Sequence, residues 1–168
     1  MQVSEKAARI PLHSFLVHFP VGLWLTSFIL DALVLLQPDQ TLLAQTSTVL
    51  LWSGVLSGAL AAMFGWRDYE MRVKKTSSEA FRAARTHLYL NSFLILWYGI
   101  LGFFRAFFGS FFGEMTGAHF LMAMVGFGTL MRSTILGGQL VFTYGIGRAQ
   151  SPSPSEREGL RPEPERAA

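Results

Sequence analysis

Apolar residues in this chain fall into four long blocks, each separated from the next by a polar or glycine-rich stretch. The first covers residues 15–36 and holds 14 residues of the Leu, Ile, Phe or Val type, interrupted by His18, Pro20 and Asp31. The others cover 42–65, 87–108 and 118–136. A helix that crosses a bilayer needs about 20 mostly apolar residues, and each block provides them. In the first, gains of roughly 0.3 to 0.6 kcal/mol per apolar residue offset a carboxylate that costs about 2.5 to 3.5 at the helix centre. Asp31 lies near the far end, where that cost falls. The expected fold class is therefore all-α integral membrane, a bundle of four transmembrane helices.

The breaks between blocks place the rest. Gln37-Pro38-Asp39-Gln40 reads as a short turn. The stretch 66–85 is rich in charge, and Thr76 followed by Glu79 reads as a capping box, so the third helix is expected to start there in water and enter the membrane near His87. Residues 109–117 form a glycine-rich, aromatic link, and Gly137-Gly138 is expected to end the fourth helix. From Ser151 onward Pro, Ser and charge dominate, a composition unable to bury a core. The expected organisation is a terminus at 1–10, a membrane domain at 11–147 and a disordered tail at 148–168. The first block exceeds the 7–15 apolar residues of a signal peptide and no small-residue cleavage site follows it, so it is read as a retained span.

Lys and Arg set the orientation. The N-terminus has Lys6 and Arg9, the 66–85 stretch has six such residues, and the tail has four from Arg148 onward. The 37–41 turn has none and the 105–117 link has Arg105 alone. The positive-inside rule then expects both termini and the long loop in the cytoplasm, which four spans permit.

Composition agrees with a membrane chain. Of 168 residues, 51% are hydrophobic and 15% charged, against about 25% charged in a soluble domain. Mean hydropathy is +0.35. There is no cysteine, which removes disulfides, thiolate metal sites, c-type haem attachment and Cys nucleophiles. The net charge of +3 resides in the loops, where anionic lipid and topology account for it; no nucleic-acid partner is expected. The second block carries small residues at four-residue spacing, Ser53, Ser57, Ala61 and Gly65 beside Gly54, Gly58 and Ala62. Such stripes let helices approach closely in lipid, either within one chain or across a homodimer.

Polar groups inside the spans are the candidate chemistry, because they are costly there and usually face the bundle interior. His13, His18 and His87 fall at the cytoplasmic end. His18, His87 and Asp68 form a candidate inner cluster, with Asn91 one turn beyond His87, and Asp31 with His119 a candidate outer pair. Three readings compete with histidines that merely cap helices. Imidazoles on facing helices are the ligand type of a b-type haem, and His18, His87 and Asp68 are a donor set for a divalent metal. A chain of His and Asp across the bundle would relay protons. Arg105 and Arg132 are expected to snorkel to the nearer interface.

Ordered motifs also carry a resemblance. Pro11-Leu12-His13 with Val17-His18-Phe19-Pro20-Val21-Gly22, then Gly65-Trp66-Arg67-Asp68-Tyr69, then His87 with Asn91, and last Gly137-Gly138-Gln139-Leu140-Val141-Phe142 with Tyr144-Gly145-Ile146-Gly147 resemble the motifs of a bacterial membrane family catalogued as domain of unknown function 2231. The likeness spans residues 11–147. That family's opening His-Pro dipeptide is absent here, since Leu12 stands between Pro11 and His13, and this weakens any role for His13. The resemblance implies four helices and a bacterial inner-membrane location, and supplies no activity. Some relatives resemble fusions to redox modules, which points to a haem- or redox-associated membrane subunit with His18 and His87 as ligands and Asp68 and Asn91 behind them. The alternatives are a metal- or proton-handling protein built on the same cluster, or a structural partner. The expected partners are the bilayer and either a redox protein or a second copy through helix two; an enzyme activity of its own is not expected.

Overall fold

The computed structural model describes residues 12–73, 77–108 and 117–146. They form five helices: α1 Leu12–Leu16, α2 His18–Leu36, α3 Thr41–Arg72, α4 Ser78–Phe108 and α5 Gly117–Phe142. No strand occurs among the described residues. With α1 and α2 taken together as Leu12–Leu36, four helical segments of 25 to 31 residues are long and apolar enough to cross a membrane. At 1.5 Å per residue the shortest extends about 37 Å, longer than a hydrocarbon core of about 30 Å.

The helices pack in a closed ring, α2 on α3, α3 on α4, α4 on α5 and α5 back on α2, with α1 lying against α3. The core is thin and central. Trp24, Leu51, Leu94, Tyr98, Leu101, Ala123 and Leu130 form it, and the Trp24 and Tyr98 rings stack at 4.6 Å. Around it the outward surface is apolar, with Phe19, Leu56, Met63, Leu96, Leu121 and Ile135 all exposed. A surface of that kind on every helix is one that lipid tails cover.

Glycine positions decide how closely the helices approach. A Cβ on Gly54 would meet Trp24 Nε1 at 2.4 Å, and one on Gly58 would meet the far edge of the same indole at 3.1 Å. The small-residue stripe of the second span thus receives Trp24 from α2, and Trp24 Nε1 donates to Leu51 O at 3.2 Å. Contrary to the reading of Gly137-Gly138 as a helix end, α5 continues through both to Phe142. The reason is packing, because the Gly137 Cα faces the His87 ring and a Cβ there would lie 3.1 Å from His87 Cε1. Past the helix end at Phe142, Gly145, with a φ of +66°, turns the chain so that Ile146 N donates to Leu140 O at 2.8 Å. Only glycine takes such a φ without steric cost.

Two further boundaries differ from expectation. α3 continues through the charged stretch to Arg72, and α4 begins at Ser78, where Ser77 Oγ accepts Ala80 N at 3.4 Å. Ser77 caps that helix, while Thr76 lies outside the described residues. So do the 1–10 terminus and the 148–168 tail.

Candidate functional site

Pro20 shapes the end of the bundle that holds His13 and His87. It has no N–H to donate to Leu16 O and its ring crowds that carbonyl. The first helix accordingly breaks at Val17 into α1 and α2, with Pro20 in the first turn of α2, where the N–H groups have no helical partner. α1 lies against α3. There His13 Nδ1 donates to Ala61 O at 2.8 Å, and the ring lies over Gly65, where a Cβ would come within 2.7 Å of His13 Cε1.

His87 approaches from α4. Its Nδ1 is 3.0 Å from Ser133 O and 3.2 Å from Ser133 Oγ, both on α5. Asn91 Nδ2 lies 3.1 Å from His87 Nε2, 2.7 Å from His87 O and 2.9 Å from Ser133 Oγ. The His13 and His87 ring centres are 6.4 Å apart at an interplanar angle of 80°. Beside the pair is a cavity of about 40 Å³ lined by His13, Asn91, Trp24, Pro20 and Leu130 among others. One water needs roughly 10–15 Å³ on that measure, so the space suits a few small molecules.

The ring that stands against His87 is therefore His13, not His18. His18 is exposed, and its Nδ1 is 3.1 Å from Phe15 O in its own preceding turn. His13 and His18 are five residues apart, about 140° around a helix of 3.6 residues per turn, so with His13 facing the bundle His18 faces away from it. Asn91 behaves as expected, bonded to His87. Asp68 is half-buried one turn beyond Gly65 on α3. Among the described residues no group of three or more His, Asp or Glu converges as a metal site.

At the other end Arg105 turns inward, contrary to the expectation that it snorkels. Its Nη2 donates to Asp31 and its Nη1 to Ser47 Oγ at 3.1 Å, with the side chains 7% and 1% exposed for Arg105 and Asp31. Ser47 Oγ also reaches the Asp31 carboxylate. Ser27 Oγ donates to Ser47 O at 3.0 Å, its hydroxyl 2.9 Å from that of Ser47. This cluster ties α2, α3 and α4 together. Asp31 thus has Arg105 and Ser47 as close partners, and His119, from α5, is near enough to feel both charges. Arg105 was legible only as a basic residue near a span end; its seven-residue spacing from Tyr98 and 18-residue spacing from His87 put it on the buried face of α4.

The two polar layers are 18 residues apart on α4, His87 to Arg105, or about 27 Å. That separation is close to the thickness of a hydrocarbon core, about 30 Å. Between them lie Leu51, Leu94, Leu101, Leu130 and the Trp24–Tyr98 stack, in which Tyr98 Oη is buried without a partner.

No curated protein and no solved structure matches this chain. The family model described as "Predicted membrane protein (DUF2231)" matches residues 9–150. That match covers most of the chain, including all four membrane-length helices, and the chain belongs to that family of predicted membrane proteins.

Proposed function

We propose that the protein binds a proton within the membrane at the His13–His87 pair, close to the cytoplasmic boundary of a bacterial inner membrane. The observation that carries this reading is the pair itself. Two imidazoles from separate elements stand 6.4 Å apart inside the bundle, each with Nδ1 held by a main-chain carbonyl of a further helix. Imidazole is the side chain whose charge changes between about pH 5 and 8. Two positive rings at that separation would repel by about 2–3 kcal/mol at an effective dielectric constant of about 20, so the pair is suited to one proton. Because α1 rests on α3 through His13, a proton on that ring bears directly on how α1 is seated.

A redox role with two imidazoles as axial ligands of a b-type haem finds a pair of rings but no slot. Trp24 fills the space over Gly54 and Gly58, His13 fills that over Gly65, and the adjoining cavity of about 40 Å³ is far smaller than a macrocycle. Binding through the remaining face of helix two, to a redox protein or a second copy, is left to the exposed residues beside Gly54 and Gly58.

The test is a difference titration of the detergent-purified full chain against the His13→Ala/His87→Ala double variant. Uptake of about one extra proton by the wild type between about pH 5 and 8 is expected. Superimposable curves would contradict the proposal, and a reduced-minus-oxidised absorption spectrum with sharp haem bands would replace it with the haem reading.

A further inference from the structure

The two imidazoles of the pair are held differently. His87 is engaged at both nitrogens, Nδ1 by Ser133 O at 3.0 Å and Nε2 by Asn91 Nδ2 at 3.1 Å. With Nδ1–H donated to a carbonyl, the lone pair of the neutral ring is on Nε2, and that is the atom Asn91 faces. The Asn91 amide nitrogen has three acceptors around its two hydrogens, since His87 O at 2.7 Å and Ser133 Oγ at 2.9 Å also lie within reach. Turning the amide over would bring its oxygen against the His87 carbonyl oxygen, which has nothing to donate. The NH2 side is thereby fixed toward His87, and a proton arriving at His87 Nε2 would meet an amide nitrogen, which has no lone pair to accept from it.

Among the described residues His13 has no such guard at Nε2. It donates from Nδ1 to Ala61 O at 2.8 Å, so its basic nitrogen is Nε2, and its ring lines the cavity beside the pair. The groups around the pair are few. From α1, His13 faces His87. From α5, Ser133 and Gly137 meet His87; from α3, Ala61 and Gly65 meet His13, with Asp68 one turn further along. α2 carries His18 on an exposed face.

We infer that the proton bound by the pair is taken up at Nε2 of His13, and that Asn91 is a positioning residue that reserves His87 as its neutral hydrogen-bonding neighbour. This rests on the reading that the pair binds a proton at all. It makes the site asymmetric: the short helix α1 carries the charge, and the long helix α4 supplies a fixed dipolar wall.

The test is nitrogen NMR of the full chain, labelled with 15N-histidine and held in lipid bilayers, between about pH 5 and 8. His18→Gln and His119→Gln remove the other two signals. The expected result is that His13 converts to the doubly protonated form, while His87 stays in the Nδ1–H form throughout. In Asn91→Ala His87 should begin to convert as well. Asn91→Asp, nearly isosteric, places an acceptor where the N–H stood without opening a void, and should leave His87 doubly protonated over most of the range. His87 converting in step with His13 in the wild type would overturn the inference, as would an Asn91→Asp protein whose His87 behaves as in the wild type. If neither ring converts, the proposed function fails together with the inference; if His87 alone converts, the function stands and the inference fails.

Discussion

Arg105 reaches from the last turn of α4 into the bundle to donate to Asp31 of α2, and the two side chains are almost completely buried. Removing one partner of such a pair leaves a charge stranded in an apolar interior, which costs about 3–5 kcal/mol. Asp31→Ala is therefore expected to lower the detergent unfolding midpoint sharply. The double variant Asp31→Leu/Arg105→Met should recover most of the loss, because a well-packed apolar pair replaces a buried ion pair at little cost. Thermal or denaturant unfolding followed by circular dichroism reads both; a double variant as unstable as the single one would contradict the assignment.

Gly54→Leu should be among the most damaging single changes in the second span. A Cβ there already falls 2.4 Å from Trp24 Nε1, while one on Gly22 meets nothing within 4 Å. Overpacking a tight interior costs about 1–3 kcal/mol and sometimes more. Gly22→Ala, the matched control, should leave the unfolding midpoint almost unchanged. Equal effects from the two would mean that Trp24 does not sit where α2 and α3 meet.

Tyr98 offers an opposite sign. Its ring stacks on Trp24, but its hydroxyl is buried with no partner, and a buried unsatisfied donor is a burden of about 1–3 kcal/mol. Tyr98→Phe should be neutral or stabilising in the same unfolding assay. A clear loss of stability would show that the hydroxyl has an acceptor, such as an internal water.

Orientation can be read directly, because the chain has no cysteine. A single cysteine placed at Gln40, exposed in the turn between α2 and α3, should react with a membrane-impermeant maleimide added outside intact spheroplasts. One at Glu70, exposed near the end of α3, should react only after the membrane is opened. The reverse pattern would invert the topology that the Lys and Arg distribution implies.

The four spans were legible because length and hydropathy are properties of a segment by itself, and lipid demands both. The small stripe at Gly54 and Gly58 was legible for the same reason, as was Asn91 one turn past His87. Which ring meets which was not. His13 and His18 stand about 140° apart around a helix of 3.6 residues per turn, so only one of them can face His87, and which one is set by how that helix is rotated against its neighbours. Gly137 read as a helix breaker because glycine propensity is local, whereas its helix persists under a tertiary constraint, the His87 ring lying against it. Arg105 read as a snorkelling residue because nothing in the sequence tells whether a long basic side chain near a span end turns outward to water or inward to a carboxylate 74 residues away.

The most direct test of the whole account is whether His13 and His87 touch. Solid-state NMR with ring-labelled histidine in lipid bilayers, on wild type and on His13→Gln and His18→Gln variants, measures through-space contact between imidazoles. The account predicts a ring-to-ring contact for His87, consistent with the 6.4 Å centre separation, that disappears in His13→Gln and persists in His18→Gln. A contact that persists without His13 and vanishes without His18 would contradict it, and would return His18 and His87 to the centre of the site.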